Sequence, residues 1–191
     1  MGKIVPVLLW VVFFTSQASA ACFDFPENQI PACGFETDAE INQWIISSDS
    51  TILTASPVHS GIGAALLSSS TNLSWEEIKV DSACLTLSGS GAMGYGIYVY
   101  PVTEPVHCMA IIVAYISAAD CTGPIVPVSG VSSEIPAGEW ALVTFGETVD
   151  IWPSAEFNLF CGSTDPFEVV VDDAFWGEGM VPVSLQTFVV D

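Results

Sequence analysis

The chain has 191 residues and a formal charge of −20 at neutral pH, from 22 acidic side chains against two basic ones, and it contains no arginine. Phosphate recognition depends on Lys and Arg, so nucleic acid is excluded as a partner, and the same repulsion disfavours anionic membranes and acidic polysaccharides. Metal cations and neutral ligands stay open, and the charge itself also keeps a 51% hydrophobic chain in solution.

Lys3 gives a positive start, Ile4 to Phe14 form an apolar run, and Ala18-Ser19-Ala20 closes it with small residues. This order is that of a secretory signal, with cleavage expected after Ala20. The run is too short to be a membrane anchor, which needs about 20 residues, and no later run is long enough to span a bilayer. Acylation at Cys22 is the alternative, but Ser19-Ala20-Ala21 lacks the leucine such sites usually carry. The expected organisation is a leader over 1–20, one β-sandwich binding domain over 21–180 and a tail or last strand over 181–191, in an exported protein that is extracellular, periplasmic or on the cell surface. A single domain of that length buries about 70% of its unfolded surface.

Short apolar or alternating runs follow, separated by Gly, Pro, Ser and Asp, as in sandwich strands. Strands are predicted at 51–55, 64–68, 75–80, 84–88, 95–102, 109–117, 140–145, 155–161 and 167–175. The run from Met109 to Ser117 is continuously apolar, which suits a strand buried on both faces. Helix is limited to one turn near Asp38-Ala39-Glu40-Ile41. Pro105, Pro124, Pro127, Pro136, Pro153 and Pro166 fall between the runs. The whole reads as an all-β chain folded into two packed antiparallel sheets.

Six cysteines lie beyond the cleavage site: Cys22, Cys33, Cys84, Cys108, Cys121 and Cys161. An even count in an exported chain reads as disulfides. The expected pairing is Cys22–Cys33 and Cys108–Cys121 for local loops, with Cys84–Cys161 tying a middle strand to a late one. Zinc is the alternative, although no Cys-x-x-Cys pair exists and only His59 and His107 could assist.

Three segments resemble secreted carbohydrate-binding-module domains with the galactose-binding-like jelly-roll fold. Cys33-Gly34-Phe35-Glu36 followed by Trp44 is similar to their opening, His59-Ser60-Gly61-Ile62-Gly63-Ala64-Ala65-Leu66 to their His-Ser-Gly segment, and Val169-Val170-Val171-Asp172-Asp173-Ala174-Phe175 to their last strand. The match runs over about residues 33–176, with only a loose fit between Gly89 and Glu134. The tail from Val181 to Phe188 resembles segments that follow such domains.

The resemblance implies a two-sheet antiparallel jelly-roll β-sandwich and a structural calcium ion. Its ligands would be Glu36, the backbone near Ser60 and Gly61, and Asp172 or Asp173. The residues agree with this. Strand neighbours alternate faces, both faces around Asp172 and Asp173 carry apolar side chains, and a buried carboxylate needs a partner. With so few basic residues, a hard divalent cation with oxygen ligands fits.

A neutral glycan or cell-surface polysaccharide is the expected partner, an expectation that rests mainly on the resemblance. Sugar rings stack on exposed aromatic faces while carboxylates and amides at the rim meet their hydroxyls. Trp75 with Glu76, Tyr98 on the 95–100 strand, and Trp152 beside Pro153 are the candidates, with core packing as the competing reading for each. Trp44 and Trp140 are expected in the core. Catalysis has less support. Ser, His and Asp are present, but no Gly-x-Ser-x-Gly elbow appears. His107 adjoins Cys108, but an even cysteine count leaves no thiol, and no motif marks a carboxylate pair for glycoside hydrolysis. The expectation is a non-catalytic binding module; the alternatives are an extracellular structural or adhesion domain and, more weakly, a small glycoside hydrolase. Asn72-Leu73-Ser74 is a glycosylation acceptor pattern.

Overall fold

The computed structural model describes residues 22, 28–47, 49–53, 56–69, 78–87, 93–148 and 152–178. Residues 1–20 and 181–191, where the leader and the tail are expected, lie outside them, as do Asn72, Trp75 and Glu76. Eleven strands are seen among the described residues: β1 (Ile45–Ile46), β2 (Asp49–Leu53), β3 (Ala64–Ser68), β4 (Ile78–Asp81), β5 (Leu85–Thr86), β6 (Met93–Pro101), β7 (Val106–Tyr115), β8 (Ile125–Ile135), β9 (Ala141–Thr148), β10 (Ser154–Gly162) and β11 (Glu168–Glu178). One sheet has the order β1-β4-β10-β7-β8, with β5 also paired to β10; the other has the order β2-β3-β11-β6-β9. Every pairing is antiparallel. This is the two-layer jelly-roll sandwich expected from the sequence.

Alternation builds the core. Val106, Cys108, Ala110, Ile112 and Ala114 of β7 are buried while the residues between them are partly exposed. Ala155, Phe157, Leu159 and Cys161 of β10 pack with Tyr95, Ile97 and Val99 of β6. At the centre the Phe157 ring lies 4.9 Å from Tyr95 and 4.7 Å from Trp176. Burying such a side chain stabilises by about 1.5–3 kcal/mol. The single helical turn, α1 (Asp38–Ile41), starts at Thr37, whose Oγ accepts from the Glu40 N–H, while Glu40 Oε2 accepts from the Glu36 N–H. The Thr37 cap satisfies an amide the turn cannot pair itself, while Glu40 holds the residue before the cap. Trp44 then closes the segment in the core, stacked 5.0 Å from Phe35 and donating to the Ala32 carbonyl.

Four expectations need correction. β8 was not foreseen, because Pro127 reads as a breaker. β8 is the terminal strand of its sheet, where a missing N–H is tolerated. The 109–117 run is not buried on both faces: Met109, Ile111 and Val113 point outward, partly exposed. Trp152 is only 7% exposed and belongs to the core, so it offers no ring to a ligand. Trp140, expected in the core, is partly exposed on the outer face of the second sheet.

The disulfides are Cys22–Cys33, as expected, with Cys84–Cys121 and Cys108–Cys161 in place of Cys108–Cys121 and Cys84–Cys161. The reason is strand geometry. Cys108 sits near the start of β7, some seven residues or about 23 Å from the end that leads to Cys121. It lies directly opposite Cys161 on β10 instead. Cys84, just after β4, is left to meet the loop that carries Cys121. Peptide mapping of unreduced protein is expected to recover the 84–121 and 108–161 links. Replacing Cys108 and Cys161 together by Ala is expected to cost about 4 kcal/mol in denaturant unfolding, from the loop the link closes. A loss under ~1 kcal/mol would count against a restraint on the unfolded chain.

Candidate functional site

Two places on the sandwich carry chemistry. The first is a knot of carboxylates where the N-terminal segment, the 56–63 loop and β11 meet. β11 pairs regularly with β6 up to Asp172 and resumes at Phe175, with a register shift between them. Asp173 takes φ +48° at that shift, and Phe35 takes φ +50°. Both are in the left-handed region that non-glycine residues seldom adopt. A regular strand would send adjacent aspartates to opposite faces. The shift instead lets both reach one loop. Asp172 Oδ2 accepts from the N–H groups of His59 (2.9 Å) and Ser60 (3.2 Å), and its Oδ1 accepts from the Asp173 N–H. Asp173 Oδ1 accepts from Ser60 Oγ at 2.8 Å and the Cys22 N–H, and its Oδ2 lies 2.6 Å from His59 Nδ1. Glu36 Oε2 accepts from the Ile62 N–H at 2.7 Å. Glu36, Ser60, Gly61, Asp172 and Asp173 are therefore brought together.

The electrostatics are set by burial. It pushes the Asp172 carboxyl up to about 8, helped by the Asp173 charge; amide hydrogen bonds from Ser60, His59 and Asp173 pull the other way without outweighing it. The Glu36 carboxyl is raised as well, first by burial, against the amides of Ile62 and Gly63. Glu36 Oε1 is buried and takes no hydrogen bond among the described residues. The donors on offer are oxygens, which suits a hard cation. Most carboxylate oxygens here are already engaged, and no group of three His, Cys, Asp or Glu side chains is arranged as a metal cluster among the described residues. Ser60, His59 and Asp173 have the residue types of a hydrolase triad, but the Ser60 hydroxyl donates to the aspartate. A nucleophile would have to donate to the histidine. Cys108 is disulfide-bonded, so His107 has no thiol to activate.

The second place is the outer face of the first sheet. Strand partners share a face. Registers of Glu156 with Val113, Asn158 with Ile111 and Asp81, and Phe160 with Met109 and Lys79 put these side chains on one surface. Tyr115 extends the row, and its hydroxyl's pKa is raised first by desolvation and then by the charge of Glu156 and a hydrogen bond to it. The Lys79 ammonium pairs with Asp81 and lies 5.5 Å from the Phe160 ring centre. Asn158 is buried, and its Oδ1 has no hydrogen-bond donor among the described residues. None of these residues was a sequence candidate. The signal was available: a strand with apolar residues at both parities, in so charged a chain, leaves one apolar row facing water. Tyr98, which was a candidate, is on the other sheet, half-buried under the His59 ring at 3.7 Å.

No protein-family model and no curated protein matches this sequence. Solved structures match in fold. The CBM22-1–GH10 modules of Clostridium thermocellum endo-1,4-β-D-xylanase 10B, in complex with xylohexaose, superpose with a TM-score of 0.59 at 13% identity, over 82% of this chain and 30% of that one. TmCBM61, in complex with β-1,4-galactotriose, gives 0.56 at 18% identity over 79% of this chain and 98% of its own. A xylan-binding CBM22 domain gives 0.53 at 9% identity, over 79% and 95%. The chain has the jelly-roll fold of carbohydrate-binding modules.

Two outcomes follow from the knot. In metal-free buffer the folded protein holds the Asp172 proton up to about pH 8. The unfolded chain loses it near the ordinary value of 3.8. The native state therefore binds more protons in that window, and stability falls as pH rises from about 4 to about 8. Melting curves should show a shallower fall for Asp172→Asn; parallel profiles would dismiss the assignment. Gly61, at φ +67°, would place a Cβ 1.6 Å from Glu36 Oε1. Gly61→Ala is expected to cost at least ~1–3 kcal/mol in denaturant unfolding, and a neutral result would mean the loop can withdraw from Glu36.

Proposed function

We propose that this chain is a non-catalytic glycan-binding module of an exported protein, and that it binds a neutral, extended polysaccharide on the outer face of the β1-β4-β10-β7-β8 sheet. The observation that carries this is the row Met109, Ile111, Val113 and Tyr115 along β7, partly exposed, beside Phe160, Asn158 and Glu156 of β10. From Met109 to Tyr115 the strand runs about 20 Å, enough for several sugar rings. An apolar floor with a few polar groups at its edge is the usual make-up of a ligand site. Charge supports a neutral ligand: Lys79, the one basic residue besides Lys3, is held by Asp81, and uronic acids would meet a chain at −20. Fold neighbours solved with xylohexaose and β-1,4-galactotriose support the class of ligand. Trp75 and Glu76 precede β4 in the chain and remain candidates for the same surface. Three disulfides support an oxidising, extracellular setting.

The test is a glycan array in calcium buffer, followed by calorimetry with xylohexaose and β-1,4-galactotriose. Tyr115→Ala and Phe160→Ala are each expected to weaken binding about tenfold, with melting unchanged. Silence across all neutral glycans would reject the proposal and favour a structural or adhesion role. Release of shorter oligosaccharides would reject the non-catalytic part.

Calcium belongs to the same proposal as a structural ion. Glu36, the backbone near Ser60 and Gly61, and Asp172 or Asp173 would hold it, supplying the positive charge that the buried carboxylates otherwise lack. Calcium at roughly 100 times its Kd is expected to stabilise by about 3 kcal/mol, and Glu36→Gln to remove the gain. An unmoved melting point and no metal by elemental analysis would rule the ion out.

A further inference from the structure

The outer face of the second sheet holds an aromatic corner that the glycan reading does not use. Trp140 leads into β9, and its ring lies 5.4 Å from Tyr100 of β6 and 5.2 Å from His59. His59 in turn stacks on Tyr98, two residues along β6 from Tyr100. All four side chains are partly exposed. Their planes do not form a flat platform: Trp140 is inclined 52° to Tyr100 and 67° to His59. The rings pack against one another at these angles, so a sugar ring finds no single open plane, while the parts of the rings left exposed can still meet a cation.

The surroundings are acidic. Glu139 precedes Trp140 and is exposed, as is Glu104 in the turn after β6. The Gly138 N–H donates to the Pro101 carbonyl and the Val102 N–H to Glu168, which draws these segments together at one end of β6. Glu168 shares the outward side of β11 with Val170, the strand partner of Tyr100. The one lysine among the described residues, Lys79, is on the other sheet. Aromatic faces attract a cation within about 6 Å of the ring centre, and a charge of −20 draws cationic macromolecules from a distance.

We propose that the corner formed by Trp140, Tyr100 and His59 over Tyr98, with its rim of Glu104, Glu139 and Glu168, docks a lysine side chain of a cationic polypeptide. The module would then hold a glycan on one sheet and a basic protein segment on the other.

Calorimetry of the full chain with a pentalysine peptide, at low and at physiological salt, tests this. Wild type is expected to bind. Trp140→Leu and Tyr100→Leu, which leave the charge untouched, are each expected to bind roughly tenfold more weakly, while the calcium-dependent melting point and xylohexaose binding stay as in wild type. Unaltered affinity in both variants would overturn the proposal, because diffuse attraction to an acidic protein gives that result. No binding by wild type would overturn it as well. Choline bound at this corner with pentalysine insensitive to both variants would replace the peptide by a small amine. Xylohexaose binding lost in Trp140→Leu would make this a glycan face instead.

Discussion

Two adjacent carboxylates on β11 have to be buried in a chain that offers almost no positive charge to meet them. Asp172 and Asp173 are both inaccessible to solvent. A regular β11 would separate them, and each would then need its own partners. The left-handed backbone at Asp173 turns both toward the 56–63 loop, so that one short segment, His59 and Ser60, supplies amides, a hydroxyl and a ring nitrogen to the pair. The same geometry ties in the N-terminal segment. Ala174 donates to the Cys33 carbonyl, Asn28 bonds to both neighbours of Phe175, and the Cys22 amide reaches Asp173. Unpaired, these groups would cost far more than a strained dihedral, and that balance fixes how the segment from Asn28 to Glu36 meets β11.

With that junction held, the two sheets are left to present different outer surfaces. The first shows an apolar row on β7 with amide, carboxylate and ammonium groups beside it. The second shows aromatic rings set at angles above buried carboxylates. The separation follows from topology. β7 and β10 are central in one sheet, β6 and β11 in the other, so residues close in sequence, such as Tyr100 and Met109, face opposite sides of the molecule. Each surface can change without disturbing the other, since the layer between them is packed by Tyr95, Phe157 and Trp176.

The disulfides show the limit of reading order as proximity. Cys108 and Cys121 are near in sequence, yet a strand carries them apart. Cys108 and Cys161 are distant in sequence, yet pairing sets them face to face with Cα atoms 4.2 Å apart. Aromatic residues erred in the same way. Trp152, next to a proline, looked exposed and is buried; Trp140, in a strand-like run, looked buried and is not.

The sequence by itself determined the alternation that makes strands, the one helical turn, a charge that disfavours nucleic acid, and the three motifs that meet at one knot, two of them supplying its carboxylates. These are local in character: period, residue type and short motifs act through the nearest neighbours along the chain. Which strand lies beside which, and therefore which cysteines bond and which side chains share a face, was decided only by tertiary structure. Strand partners are chosen by how two whole layers pack, and separation along the chain carries almost no information about that choice.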